Sequence, residues 1–174
     1  MSNALGIYSP VINQKQNMQF STHYDVASLT VTSQKADNWP SRLETVWHLH
    51  LLAWFVLEPV AAHFGTAPKV SSGYRSDAVN KAVGGSTKSQ HSFGQAADFE
   101  IAGTDNRELA KWINDNLTFD QLILEFYTSA GGMASGWVHC SYKPSGNRKQ
   151  FLTAIKKNGK TQYLPATTAR LEGL

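Results

Sequence analysis

Cysteine is almost absent: the 174 residues hold one, Cys140. That excludes an internal disulfide and a zinc site built on several thiolates, so any metal must be held by His, Asp or Glu. Charge is also sparse, at 17% Asp, Glu, Lys and Arg against about 25% in an ordinary soluble domain. With 41% hydrophobic residues, such a chain is not kept disordered by self-repulsion. Long apolar runs are missing. The longest, Leu51 to Leu57, has seven residues, whereas a membrane-crossing helix needs about 18 or more. The opening MSNALGIYSPVINQKQ has neither the basic nor the apolar region of a secretory signal. The expectation is a chain without a membrane span, made and first held in the cytoplasm. A net charge of +3 and a pI near 9.0 favour an anionic partner without choosing among nucleic acid, wall polymer and membrane surface.

What is present reads as one domain, since the length is within the ~100–200 residues usual for one. Residues 1–38 are polar and irregular and read as an N-terminal extension able to pack on the core, with Leu29 to Thr32 alternating as an edge strand would. Residues 39–174 read as a single domain ending in a hairpin. From Pro40, apolar residues at Leu43, Val46, Trp47, Leu51, Trp54 and Phe55 follow a helical period, with the aromatic group expected in the core. Pro59 is expected to kink or interrupt this helix near Glu58, and Gly65 to cap it. Lys69 to Ser72 reads as a strand, Ser76 as the cap of a short helix, and Ala96 to Ile101 as a second strand. Thr104 is expected to cap a helix reaching about Asn116. Strands follow at 119–127 and 137–142, separated by a turn at Gly131-Gly132, and Asn158-Gly159 marks a type I′ hairpin. Helices first and strands later point to an α+β fold, with helices packed on one face of a small, mainly antiparallel sheet.

The segment SQHSFGQAADFEI, residues 89–101, places His91 on a loop and Asp98 inside an apolar strand. Downstream, GWVHCSY puts His139 in another strand. Two imidazoles and a carboxylate suit zinc, which in catalytic sites keeps three protein ligands and one open position. Nickel, cobalt or iron fit the same donor set. A lone buried histidine is more often a hydrogen-bonded core residue than a ligand. Asp98 is harder to dismiss, because a carboxylate between Ala97 and Phe99 costs several kcal/mol to bury unless it is paired or metal-bound. His48 and His50 lie two apart on a helix and face different ways. Cys140 alternates away from His139, and the basic residues Arg148, Lys149, Lys156 and Lys157 read as a solvated face.

The run SSGYRSDAVNKAVGGSTKSQHSFGQAADFEI, followed by FDQLILEFY and GWVHCSY, resembles the zinc D-Ala-D-Ala carboxypeptidase family of peptidoglycan peptidases, peptidase family M15, in its small phage-type branch. The family pattern is met by Ser89, His91, Gly94, Ala96, Asp98, Trp137, His139 and Ser141, and the likeness runs from about Pro40 to Ala154. The resemblance implies one zinc ion held by His91, Asp98 and His139, and the α+β fold shared with lysostaphin-type peptidases and the hedgehog signalling domain. It also implies a peptidoglycan peptide as substrate, cut in carboxypeptidase or endopeptidase fashion, by a monomeric phage lysin or virion-associated wall hydrolase. Arg75 matches the arginine that faces substrate in relatives, where a guanidinium binds a carboxylate or stabilises an oxyanion; the other reading is an ion pair with Asp77 or Glu58. Some relatives carry an acidic base three residues before the second zinc histidine, where this chain has Gly136. Glu125 is the better candidate: it shares a strand face with Ile123 and Tyr127, can lie opposite His139, and if desolvated should have a raised pKa suited to moving a proton. The alternative is that it orients His139. Ser89 and Gln90 are candidate substrate-binding residues. The rival functions are a non-catalytic, zinc-stabilised binding module of this fold, and a nucleic-acid-binding protein, for which no aromatic stacking platform or basic recognition helix is present.

Overall fold

A computed structural model describes residues 15–129 and 135–174; the expected Gly131-Gly132 turn lies outside the described residues. The apolar period after Pro40 becomes one helical rod made of α1 (Leu43–Leu52), a wide π turn (Ala53–Leu57) and α2 (Glu58–Phe64). The expected interruption near Glu58 takes the form of that π turn, and the helix does not end there. Proline lacks an N–H and its ring strikes the carbonyl four residues back. Widening the preceding turn, so that the Glu58 N–H reaches the Ala53 carbonyl, accommodates both defects and carries the helix on to its left-handed cap at Gly65. This 22-residue rod is long and apolar enough to cross a membrane by length and composition, yet 56% of its most apolar stretch is buried in the domain. Leu49, Leu52, Val56 and Leu57 are fully enclosed, which makes it the core helix.

The aromatic residues of the rod correct the sequence reading. Trp47, Trp54 and Phe55 are each about half exposed. They lie flat on the outside: Trp47 stacks on His50 and Phe55 on Tyr142, while the Trp54 indole donates to the Phe20 carbonyl at 2.8 Å. Helical spacing identifies the apolar stripe, but this rod is apolar on more than one side, and the aliphatic side is the one enclosed.

Six strands form one sheet: β1 (Lys69–Ser72), β2 (Ala96–Glu100), β3 (Gln121–Glu125), β4 (Trp137–Ser141), β5 (Gln150–Lys157) and β6 (Lys160–Pro165). Their order is β1-β2-β4-β3-β5-β6, antiparallel throughout except for the parallel pair of β3 with β5. The expected hairpin is present, with Asn158 and Gly159 both at positive φ as a type I′ turn requires. Helix α3 (Asp77–Ala82) is capped by Ser76. Helix α4 (Asn106–Asn116) is capped by Asp105, one residue later than expected, because the Asp105 carboxylate reaches the N–H groups of Arg107 and Glu108. A short α5 (Thr168–Glu172) closes the chain. The fold is α+β.

Alternation along the strands separates two faces. Ala97, Phe99, Leu122, Leu124, Val138 and Cys140 are all fully buried in one cluster with the rod and with Leu109 and Ile113 of α4. Phe20, Tyr24, Val26 and Leu29 belong to the same cluster, so the segment before the rod helps to build the core. The expected edge strand at Leu29 to Thr32 is absent. Leu29 lies in a turn whose carbonyl accepts the Tyr74 N–H at 2.8 Å, which ties it to the loop after β1 rather than to a strand edge.

Candidate metal centre

The opposite sheet face carries the polar residues. In register, Asp98 of β2, His139 of β4 and Ile123 of β3 form one transverse row. The third group, His91, comes from a 3-10 turn (Gln90–Phe93) that ends at Gly94 with φ +70, where a Cβ would stand 2.6 Å from the Thr45 carbonyl oxygen. Only glycine lets the turn press this closely on α1 and point His91 at the sheet.

His91, Asp98 and His139 are all buried. His139 Nδ1 is 2.9 Å from Asp98 Oδ1, His91 Nε2 is 3.2 Å from His139 Nδ1, and His91 Nε2 is 3.3 Å from Asp98 Oδ1. Four ligands held tetrahedrally at about 2.0–2.1 Å from zinc stand roughly 3.3–3.4 Å apart, so the triangle has the dimensions of one face of a zinc site. His91 Nδ1 lies 2.7 Å from the Gly73 carbonyl, a bond that places the proton on Nδ1 and turns the Nε2 lone pair toward the other two groups. Burial by itself would raise the Asp98 carboxyl pKa, but His91 and His139 beside it hold it far below the ordinary range. These are two nitrogen donors and one ionised oxygen donor, a set that could hold a metal ion.

Arg75 reaches the same carboxylate. Its Nη2 donates to Asp98 Oδ2 at 2.5 Å and its Nε to Ser72 Oγ at 2.8 Å. The pairing with Asp77 or Glu58 is not formed; Glu58 binds His23 at 2.9 Å instead. A bulge in β1, where the register passes from Val70 opposite Phe99 to Ser72 opposite Asp98, re-aims the chain so that Ser72 and Arg75 converge there.

Glu125 lies on the site face, half-buried. Its partner across β4 is Trp137, and Ile123 is the residue opposite His139, so Glu125 is diagonal to that histidine rather than opposite it. Desolvation raises its pKa, with the Asp98 charge adding to the rise and His139, Arg75 and Lys156 partly offsetting it. Tyr127 does not share this face. Phe126 turns the backbone to φ +52, and the Tyr127 hydroxyl donates to Asp105 at 2.7 Å on the helical side. Gly136 has φ +78, and a Cβ there would lie 2.0 Å from the Glu125 carbonyl oxygen. No side chain fits at that position.

A family model described as Peptidase M15 matches residues 20–141, well over half of the chain. The chain belongs to the Peptidase M15 family. It is thereby placed among the peptidases, and no curated protein matches it. The M15 match begins at Phe20, the first core residue of the N-terminal segment among the described residues.

The M15 centre opens onto a cleft of about 950 Å³ lined by Arg75, Ser89, Gln90, Glu125, Trp137 and Tyr163, among others. Tyr163 arrives through the hairpin: it pairs with Ala154, which pairs with Glu125, so all three share one row. Gln90 Nε2 donates to Asp120 Oδ2 at 3.0 Å. Ser141 is structural here, its hydroxyl bonding the N–H and carbonyl of Gln121. His48 binds the Phe93 carbonyl at 2.8 Å, and His63 stacks on Trp112.

Asp120 escaped the sequence reading. Its side chain is 1% exposed and is held by Lys143 at 2.9 Å and Arg148 at 2.6 Å, so Arg148, solvent-exposed as expected, also lines the cleft. Burial would raise its pKa, but the hydrogen bonds from Arg148 and Lys143 outweigh that and bring it down to about 2. An acid between Phe119 and the strand was the available signal, since burying it demands a cation from elsewhere in the chain.

Proposed function

We propose that this chain is a zinc-dependent peptidase that hydrolyses amide bonds in the peptide part of peptidoglycan, as a carboxypeptidase or an endopeptidase. The observation that carries the reading is the buried triangle of His91 Nε2, Asp98 Oδ1 and His139 Nδ1, with sides of 2.9–3.3 Å, opening onto a cleft that also holds a carboxyl of raised pKa. These three atoms would hold one zinc ion. Bound zinc supplies a Lewis acid that acidifies water and polarises an amide carbonyl. Glu125 is the general base: its raised pKa brings it nearer the operating range, where it takes a proton from the attacking water and returns it to the leaving amine. Arg75 fixes the Asp98 carboxylate through Nη2 and directs its remaining N–H groups to the oxyanion or to a peptide carboxylate. Ser89 and Gln90 line the substrate's path. The resemblance to the small phage-type branch supports a monomeric lysin or virion-borne wall hydrolase as the setting.

Digestion of purified sacculi followed by mass spectrometry of the released muropeptides tests the reading. New peptide cleavage products are expected with the zinc-loaded protein and none after chelation. Sacculus binding without any cleavage product would instead identify a zinc-stabilised binding module.

A further inference from the structure

The cleft continues past the metal-binding row, and its far end is built around charge. Asp120 Oδ1 accepts from Lys143 Nζ at 2.9 Å and from Arg148 Nε at 3.0 Å, while Oδ2 accepts from Arg148 Nη2 at 2.6 Å. Both cations sit on the loop after β4. Asn147 closes that loop by bonding the Lys143 N–H and carbonyl at 2.9 and 2.8 Å, so the cations are held in fixed relation. One carboxylate between two cations leaves one positive charge unmatched. The outer parts of both cations reach solvent, Lys143 being 30% and Arg148 52% exposed. Arg148 commits Nε and one Nη2 proton to Asp120, which leaves three of its five N–H donors, and Lys143 retains two of its three.

The other carboxyls lining the cleft, Asp98 and Glu125, lie further along the sheet. Three strand residues at about 3.4 Å each place Asp120 roughly 10 Å from the row of Ile123 and His139. Gln90, bonded to Asp120 and adjacent to His91, joins the two ends of the cleft.

We propose that Lys143 and Arg148, anchored on Asp120, form a subsite for a carboxylate of the bound peptide, about three extended residues from the bond that is cleaved. The proposal rests on the peptidase reading above for the identity of the ligand. Wall stem peptides, which carry carboxylates on a side branch and at the C-terminus, have the required chemistry. Asp120 gives the guanidinium a fixed plane, and the unmatched charge selects an anion over an amide.

The test uses a synthetic stem pentapeptide and versions of it in which each carboxylate in turn is amidated. Binding is measured by calorimetry and KM by product formation, for the full chain and for Lys143→Met and Lys143→Arg. One amidation is expected to weaken binding and raise KM about tenfold in the unaltered chain. Lys143→Met should abolish that discrimination and Lys143→Arg restore it. The proposal is overturned if no amidation matters, or if Lys143→Met discriminates as the unaltered chain does. Lys143-dependent discrimination in binding without any cleavage would leave the subsite standing and remove the peptidase reading. Cleavage of every peptide alike would do the reverse.

Discussion

Replacing Asp120 by asparagine keeps the shape of the side chain and removes its charge. The folded carboxyl titrates at about 2 against an ordinary 3.8, and each unit of difference corresponds to about 1.4 kcal/mol. The ionised form therefore contributes about 2 kcal/mol at neutral pH once solvent screening of the half-exposed Arg148 and partly exposed Lys143 is allowed for. For a depressed carboxyl this stability is complete above the unfolded value and disappears as pH falls through the folded one. Asp120→Asn should thus lower stability by about 2 kcal/mol at pH 7, seen as a fall in Tm of roughly 4–8 °C in a chain of this size. The difference should narrow between pH 4 and pH 2. Chemical and thermal denaturation of both proteins across that range is the assay. Equal stability at pH 7, or a deficit that stays constant down to pH 2, would mean that Asp120 owes its place to shape rather than charge.

Glu125→Gln should reduce kcat by about 10²–10⁴ with metal uptake unchanged; retained turnover together with weakened metal binding would make Glu125 a positioning group for His139. The Glu125 base form exists only above its raised pKa, so kcat/KM should decline as pH falls through a value above the ordinary 4.5; an acid limb at or below 4.5 contradicts that role. Arg75→Ala frees Asp98 Oδ2 and should weaken metal affinity roughly 10–100-fold, measured by competition with a chelating dye. Gly136→Ala forces a Cβ to within 2.0 Å of the Glu125 carbonyl and should cost roughly 1–3 kcal/mol in urea denaturation.

The strands and the candidate metal-binding row were legible because a period of two is a local signal. Asp98 and His139 stand out as polar groups in otherwise apolar strands, and pairing their strands side by side brings them together. The placement of Glu125 was legible only to its face. Whether it stands opposite His139 or one step along depends on register, which is set by hydrogen bonding across strands distant in sequence. Tyr127 follows Phe126 out of the alternation because of one left-handed residue, for which a phenylalanine gives no warning. The outward aromatics of the rod were misread for a related reason: spacing defines a stripe without saying which stripe is covered. Asp120 was marked locally only by its place between Phe119 and an apolar strand; its partners, Lys143 and Arg148, come from a loop more than twenty residues later, so its pairing had no local sign.

The most direct test is the zinc stoichiometry of the purified chain, by titration with elemental analysis, set beside Asp98→Ala. One ion per chain is expected for the unaltered protein, with tight binding lost in the variant. A chain that takes up no zinc, or that binds it equally well without the Asp98 carboxylate, would contradict the assignment of His91, Asp98 and His139 as a metal centre.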